Sequence, residues 1–207
     1  MPNGYIGNPP KQLVRNDGVH SLSEVFDLQS KGHWGGSMEL IAEQTFSTSV
    51  ANIDFTSIQE DKYDVHFMSA QVKFGSGNAD LLGLRFYESG VLETAGVYKV
   101  ATQTGTSGGT FGEARQTGYS WIFVGESTVD YQNVYIYFYN LGNSSKYSFC
   151  TFHANVLDST SFIRFGGAVL PQTSVVDGIR LFGGVSGENI GSAFDIKLYG
   201  VKEIWVT

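Results

Sequence analysis

From residue 37 onward, apolar and polar positions alternate with a period of two. Ile53 and Phe55 flank Asp54, and Tyr63, Val65 and Phe67 alternate with Asp64 and His66; Met68, Ala70, Val72 and Phe74 carry the run on with the phase switched. Period two predicts strands, because successive side chains in a strand point to opposite faces. The switch predicts a β-bulge near Phe67 and Met68. Further β-like runs cover 81–87, 91–100, 119–124, 132–139, 146–153, 162–170, 175–183 and 193–201. Clusters of Gly, Asn, Ser and Asp separate them, as at 75–80 and 140–145. About ten short strands at near-regular spacing, with no repeat, predict an all-β fold: an antiparallel, jelly-roll-like β-sandwich.

The first 36 residues break this pattern. Pro2, Pro9 and Pro10 are three of the four prolines, so residues 1–20 read as an extended arm. The arm also carries Tyr5, Ile6, Leu13 and Val14, which a purely solvated tail does not need. Tyr5, Ile6, Pro9, Pro10, Leu13 and Val14 are therefore the candidate anchor to a partner. Next, Ser21-Leu22-Ser23-Glu24 fits a capping box, in which hydroxyl and carboxylate satisfy amides of the first turn. Val25, Leu28 and Gln29 share a face and Gly32 suits the C′ position, so one short helix is expected over 22–31. The expected organisation is an anchoring arm with a helix at 1–36 and a sandwich at 37–207.

Composition narrows the function. Thirteen Lys and Arg against 20 Asp and Glu give a net charge of −7, which argues against a nucleic-acid partner because the chain as a whole cannot release counterions from a phosphate backbone. Charged residues are only 16%, against about a quarter in an average domain; the 26 glycines with many Ser and Thr imply an uncharged polar surface. The length suits one all-β domain. Cys150 is alone, excluding an intrachain disulfide, and between Phe149 and Phe152 it reads as a buried, inert thiol. No basic segment followed by an apolar stretch opens the chain, and no run approaches the ~18 apolar residues of a membrane span. Folding in a cytoplasm, without secretion or membrane insertion, is the expectation.

Several motifs touch on chemistry. Gly105-Thr106-Ser107-Gly108-Gly109 matches the G-x-S-x-G elbow, which needs a strand before it and a helix after it; its Gly/Thr-rich flanks read as a loop, and the match as chance. His20, His33, His66 and His153 lack metal-site spacing, and His66 and His153 read as ordinary sheet-face residues. Glu60, Asp61 and Asp64 read as a solvated turn rather than a calcium loop. Most other carboxylates fall at turns, which are poor settings for a general acid. Glu88, Glu93 and Glu113 are the only ones kept as candidates for one; no catalytic residue, cofactor or metal is assigned.

Residues 132–139 are more informative. Val134, Ile136 and Phe138 share one face of a strand and Tyr135, Tyr137 and Tyr139 the other. Both faces are apolar or amphipathic, whereas a water-facing sheet surface is normally polar. The tyrosine face is thus expected to be covered by another subunit, an arm or a ligand, or else from within the chain. Tyr135, Tyr137 and Tyr139, with Trp121, are the candidates for a subunit interface or for stacking on sugar rings.

The order of motifs resembles virion structural proteins of tailed phages, especially phages of aquatic bacteria. The likeness rests on the M-P-x-G-Y-I-G-N-x-P opening, on Gly18–Gly36 (GVHSLSEVFDLQSKGHWGG), on Ile53–Ile58 (IDFTSI) and on the closing Ser192–Val201 (SAFDIKLYGV). The resemblance implies a β-sandwich displayed on a virion, often as a homotrimer, serving as capsid decoration, head fibre, tail fibre or adhesion module, and made in the host cytoplasm without a signal peptide. Residues 88–130 match nothing in that pattern. With no coiled-coil or collagen-like shaft, a capsid-decorating or head-fibre protein docked on other virion proteins is expected. The alternative is a tail-fibre or receptor-binding carbohydrate-binding module that holds a host-surface glycan.

Overall fold

The computed structural model describes residues 22–23, 38–75, 81–126, 130–157, 161–184, 189–191 and 194–202. Leu22 and Ser23 are helical; the rest of the expected helix, and the anchor residues Tyr5, Ile6, Pro9, Pro10, Leu13 and Val14, lie outside the described residues. The sandwich belongs to the unit Met38–Thr207.

Thirteen strands form among the described residues: β1 Met38–Phe46, β2 Asn52–Phe55, β3 Val65–Val72, β4 Leu82–Glu88, β5 Val91–Leu92, β6 Tyr98–Thr106, β7 Phe111–Tyr119, β8 Ile122–Phe123, β9 Gln132–Tyr139, β10 Ser148–Val156, β11 Phe162–Leu170, β12 Val176–Gly183 and β13 Phe194–Val201. They make two antiparallel sheets. One runs β1-β13-β3-β9-β10-β11-β6-β7, the other β2-β12-β4-β5, with β8 also paired to β4. If β1, β2, β3, β4, β8, β9, β12 and β13 are counted as strands one to eight, the two sheets run 1-8-3-6 and 2-7-4-5. That is the double Greek key of a jelly roll. The segment β5–β7, inserted between the fourth and fifth strands, and the pair β10–β11, inserted between the sixth and seventh, meet one another. Together they extend the first sheet by four strands beyond β9.

The inward faces of the two sheets make the core. Met68, Ile136, Phe138 and Leu198 from the larger sheet and Leu84, Phe86 and Ile179 from the smaller are fully buried. Phe86 meets Phe138 edge-on at 6.0 Å and lies 6.1 Å from Tyr98, whose hydroxyl accepts from Phe86 N at 3.0 Å. The β4–β5 hairpin turns through Ser89 and Gly90, both at positive φ (51° and 78°), the backbone of a two-residue type I′ turn.

The expected bulge at Phe67 and Met68 is absent: β3 keeps unbroken register with β13 and β9 through both residues. The apparent phase switch came from taking His66 as outward and polar. His66 is fully buried beside Met68, its Nε2 2.8 Å from Ile58 O, so Val65 and Phe67 point outward instead. Register shifts occur between Leu40 and Ala42 in β1, between Val176 and Gly178 in β12, and between Tyr98 and Lys99 in β6. The supposed loop around Ser107 is a β-hairpin. Strands β6 and β7 flank it on both sides and no helix follows, so the backbone of a nucleophile elbow is not formed.

Candidate functional site

The outward faces of the two sheets differ in chemistry. On the smaller sheet, Arg180 Nε and a second guanidinium nitrogen meet the two oxygens of Asp54 at 2.6 and 2.8 Å, and Tyr87 donates to Asp54 at 2.9 Å. Arg85 donates to Ser120 O at 2.9 Å and lies 4.5 Å over the Phe182 ring. Burial raises the Asp54 carboxyl, but the bonds from Arg180 and Tyr87 outweigh it and hold the group below its ordinary range. Around Asp54 the surface is polar and water-compatible, while farther along β12 Phe182 is covered by Arg85 and Trp121.

The larger sheet presents an aromatic one. Strict register aligns Leu40, Tyr199, Phe67 and Tyr137 in one row across β1, β13, β3 and β9, and Met38, Val201, Val65 and Tyr139 in the row beside it. The Phe67 ring centroid lies 4.9 Å from Tyr137, 6.1 Å from Tyr199 and 6.5 Å from Tyr135. Leu40 and Met38 are each 49% exposed and Tyr135 41%. The tyrosines thus occupy the face expected of them, with Tyr137 and Tyr139 half-buried by their neighbours.

The inserted strands continue this face. Tyr137 is followed across the sheet by Thr151, Gly167, Ala101 and Arg115, and Tyr139 by Phe149, Val169, Lys99 and Thr117. Small residues in the middle of the first row leave a groove of about 820 Å³, open to solvent. Its floor is Thr151, Gly167 and Ala101. Tyr139 and Phe149 stand at one end, where the Tyr139 hydroxyl lies 3.3 Å from Thr151 Oγ1, and Lys99 and Arg115 at the other. Beside the groove, Tyr135 Oη meets His153 Nδ1 at 2.8 Å, and His153 packs edge-on against Phe165.

Trp121 does not join this surface. It is buried at 6% exposure among Tyr119, Phe123 and Phe182, with its ring against Gly184, where a Cβ would approach it to 2.6 Å. It is a core residue and its assignment to an interface or sugar platform is corrected. Cys150 is buried as expected, and burial pushes its thiol up to about 12. Glu60, Asp61 and Lys62 form a turn in which Lys62 N donates to Gln59 O at 3.0 Å.

Of the candidate acids, Glu113 is exposed on the outer strand β7. Glu88 and Glu93 lie side by side at the β4–β5 hairpin. Ser174 donates to Glu88, and the Gln172 amide, turned with its nitrogen toward the carboxylates, donates to Glu88 at 2.7 Å and Glu93 at 3.3 Å. Burial is the main influence that raises the Glu88 carboxyl; its contact with Glu93 adds to this and the Ser174 bond opposes it. The two carboxyls are bridged by the Gln172 amide. Among the described residues, no cluster of three His, Cys, Asp or Glu is placed to hold a metal ion, and no helix is long and apolar enough to cross a membrane.

Phe67, Tyr199, Leu40 and Phe149 belong to the outward face but were missed in the sequence. Continuous period two through His66 would have placed Phe67 there; the others follow only from strand register. Compared with models of protein families and with curated proteins, the chain matches none.

Proposed function

We propose that this chain is a non-enzymatic structural protein of a phage virion, displayed on the particle surface as a capsid-decorating cement or head-fibre protein. In this reading the N-terminal arm anchors it to other virion proteins, and the sandwiches assemble as a homotrimer through the outward face of β1, β13, β3 and β9. The observation that carries it is the row of Leu40 and the aromatic Tyr199, Phe67 and Tyr137 on a face that would otherwise meet water, set against the ion pair of Asp54 and Arg180 on the outer face of the smaller sheet. Tyrosines with an apolar body and a polar tip suit protein interfaces. The resemblance of both chain ends to phage structural proteins supports the virion assignment. The non-enzymatic reading rests on the sequence, where most carboxylates fall at turns, and on the exposure of Glu113 on β7.

The test is incorporation. Full-length chain and chain lacking residues 1–20 are added to particles that lack the protein. The full chain should incorporate and the truncated chain should stay folded in solution; normal incorporation of the truncated chain would contradict the anchor. A second reading, a tail-fibre or receptor-binding carbohydrate-binding module, is favoured by the groove beside Tyr139 and Phe149.

A further inference from the structure

We propose that the groove across β9, β10, β11, β6 and β7 binds an acidic oligosaccharide, with Lys99 and Arg115 pairing with its carboxylate or sulfate groups. This rests on the receptor-binding reading of the groove and names its ligand class. The four intervals from β9 to β7 give a length of about 19 Å at the usual strand spacing. The groove therefore runs perpendicular to the strands.

Its direction selects the ligand. Backbone amides and carbonyls of the central strands point within the sheet and are spent on neighbouring strands, so a peptide laid across them finds no ladder to join. What the groove offers is side chains: the rings of Tyr139 and Phe149, the hydroxyls of Thr117 and Thr151, and two cations. Flat apolar faces edged by hydroxyls are the surfaces of a sugar.

Charge selects the acidic class. Lys99 and Arg115 occupy diagonal positions on adjacent strands, since Lys99 faces Thr117 and Ala101 faces Arg115. Like charges so placed repel one another. Yet neither makes an ion pair among the described residues, and Glu113, the next outward residue on β7, makes none with Arg115. Lys62, Arg164, Arg180, Lys197 and Lys202 are paired with carboxylates, Arg85 is held by Ser120 O and the Phe182 ring and Lys73 by the Tyr131 ring; Lys99 and Arg115 differ from these in standing together at one end of a groove. In a chain with seven more acids than bases, two uncompensated cations at one end of an open groove make a site complementary to an anion.

The test is calorimetric titration of the full chain with hexagalacturonate and a heparin hexasaccharide, against neutral cellohexaose and hexaglutamate. The acidic sugars should bind, more weakly as salt rises. Lys99→Ala and Arg115→Ala should each weaken binding about tenfold, and Ala101→Tyr, which fills the floor, should abolish it without lowering the melting temperature. Equal binding of cellohexaose, lost in Ala101→Tyr, would overturn the acidic preference and keep the receptor-binding reading. Binding of neither sugar class would overturn both. Tighter binding of hexaglutamate would replace the saccharide with an acidic peptide.

Discussion

His66 makes the fold sensitive to mild acid. Its imidazole is fully buried on the inward face of β3, edge-on to Tyr63 at 5.9 Å. The contact of Nε2 with Ile58 O at 2.8 Å requires the proton on Nε2, so Nδ1 is bare and has no partner among the described residues. Protonating Nδ1 would bury both a charge and an unpaired donor. Burial accordingly pushes the imidazole below its ordinary value, and the Ile58 carbonyl, which favours the charged form, only partly opposes this. The unfolded chain then takes up the proton first, near pH 6.5. Stability is full above that pH and is lost as pH falls toward the lower folded value. One proton sets a slope of at most about 1.4 kcal/mol per pH unit, or about 3–6 °C in Tm per unit for a domain of this size.

The assay is thermal unfolding by circular dichroism at pH 7.5, 6.5 and 5.5, for the native chain and for His66→Gln. The glutamine amide can still donate to Ile58 O but does not titrate. The native Tm should fall between pH 6.5 and 5.5, and the fall should be largely removed in the variant. Glu88 cannot imitate this loss: its raised carboxyl prefers the proton in the folded state, so its contribution grows as pH drops. An undiminished slope in His66→Gln would refute the assignment.

Asp54→Ala strands Arg180 and Tyr87 and should cost about 2 kcal/mol at pH 7 by urea unfolding. Because the Asp54 carboxyl is held low, the native advantage should persist to about pH 4 and disappear as pH falls through the folded value. Cys150 should resist a disulfide reagent under native conditions and react fully in denaturant; rapid native labelling would contradict its burial. Trp121→Ala should cost about 3–5 kcal/mol as a core truncation, where a solvent-facing platform would cost little.

Strand β9 was legible because from Val134 to Tyr139 its two faces are aromatic or aliphatic without a polar exception, so period two could be read directly. In β3 one buried histidine inverted the apparent phase, since an imidazole whose Nε2 is bonded to a carbonyl eight residues earlier looks polar in sequence. Strand β7, Phe111–Tyr119, is an outer strand exposed on nearly all its length and carries almost no apolar period. Trp121 was misplaced because its bed is Gly184, more than sixty residues away. The groove depends on the alignment of Ala101, Gly167 and Thr151 from three strands, and no local window contains that register.

The most direct test of the central claim is the solution mass of the full chain by analytical ultracentrifugation at micromolar concentration, for the native protein and for a Phe67→Ser, Tyr137→Ser variant. The account predicts about 68 kDa for the native protein, three copies of the 22.6 kDa chain, and a folded monomer for the variant. A native protein that sediments as a stable monomer, with Tyr135 and Tyr137 open to chemical modification, would contradict it.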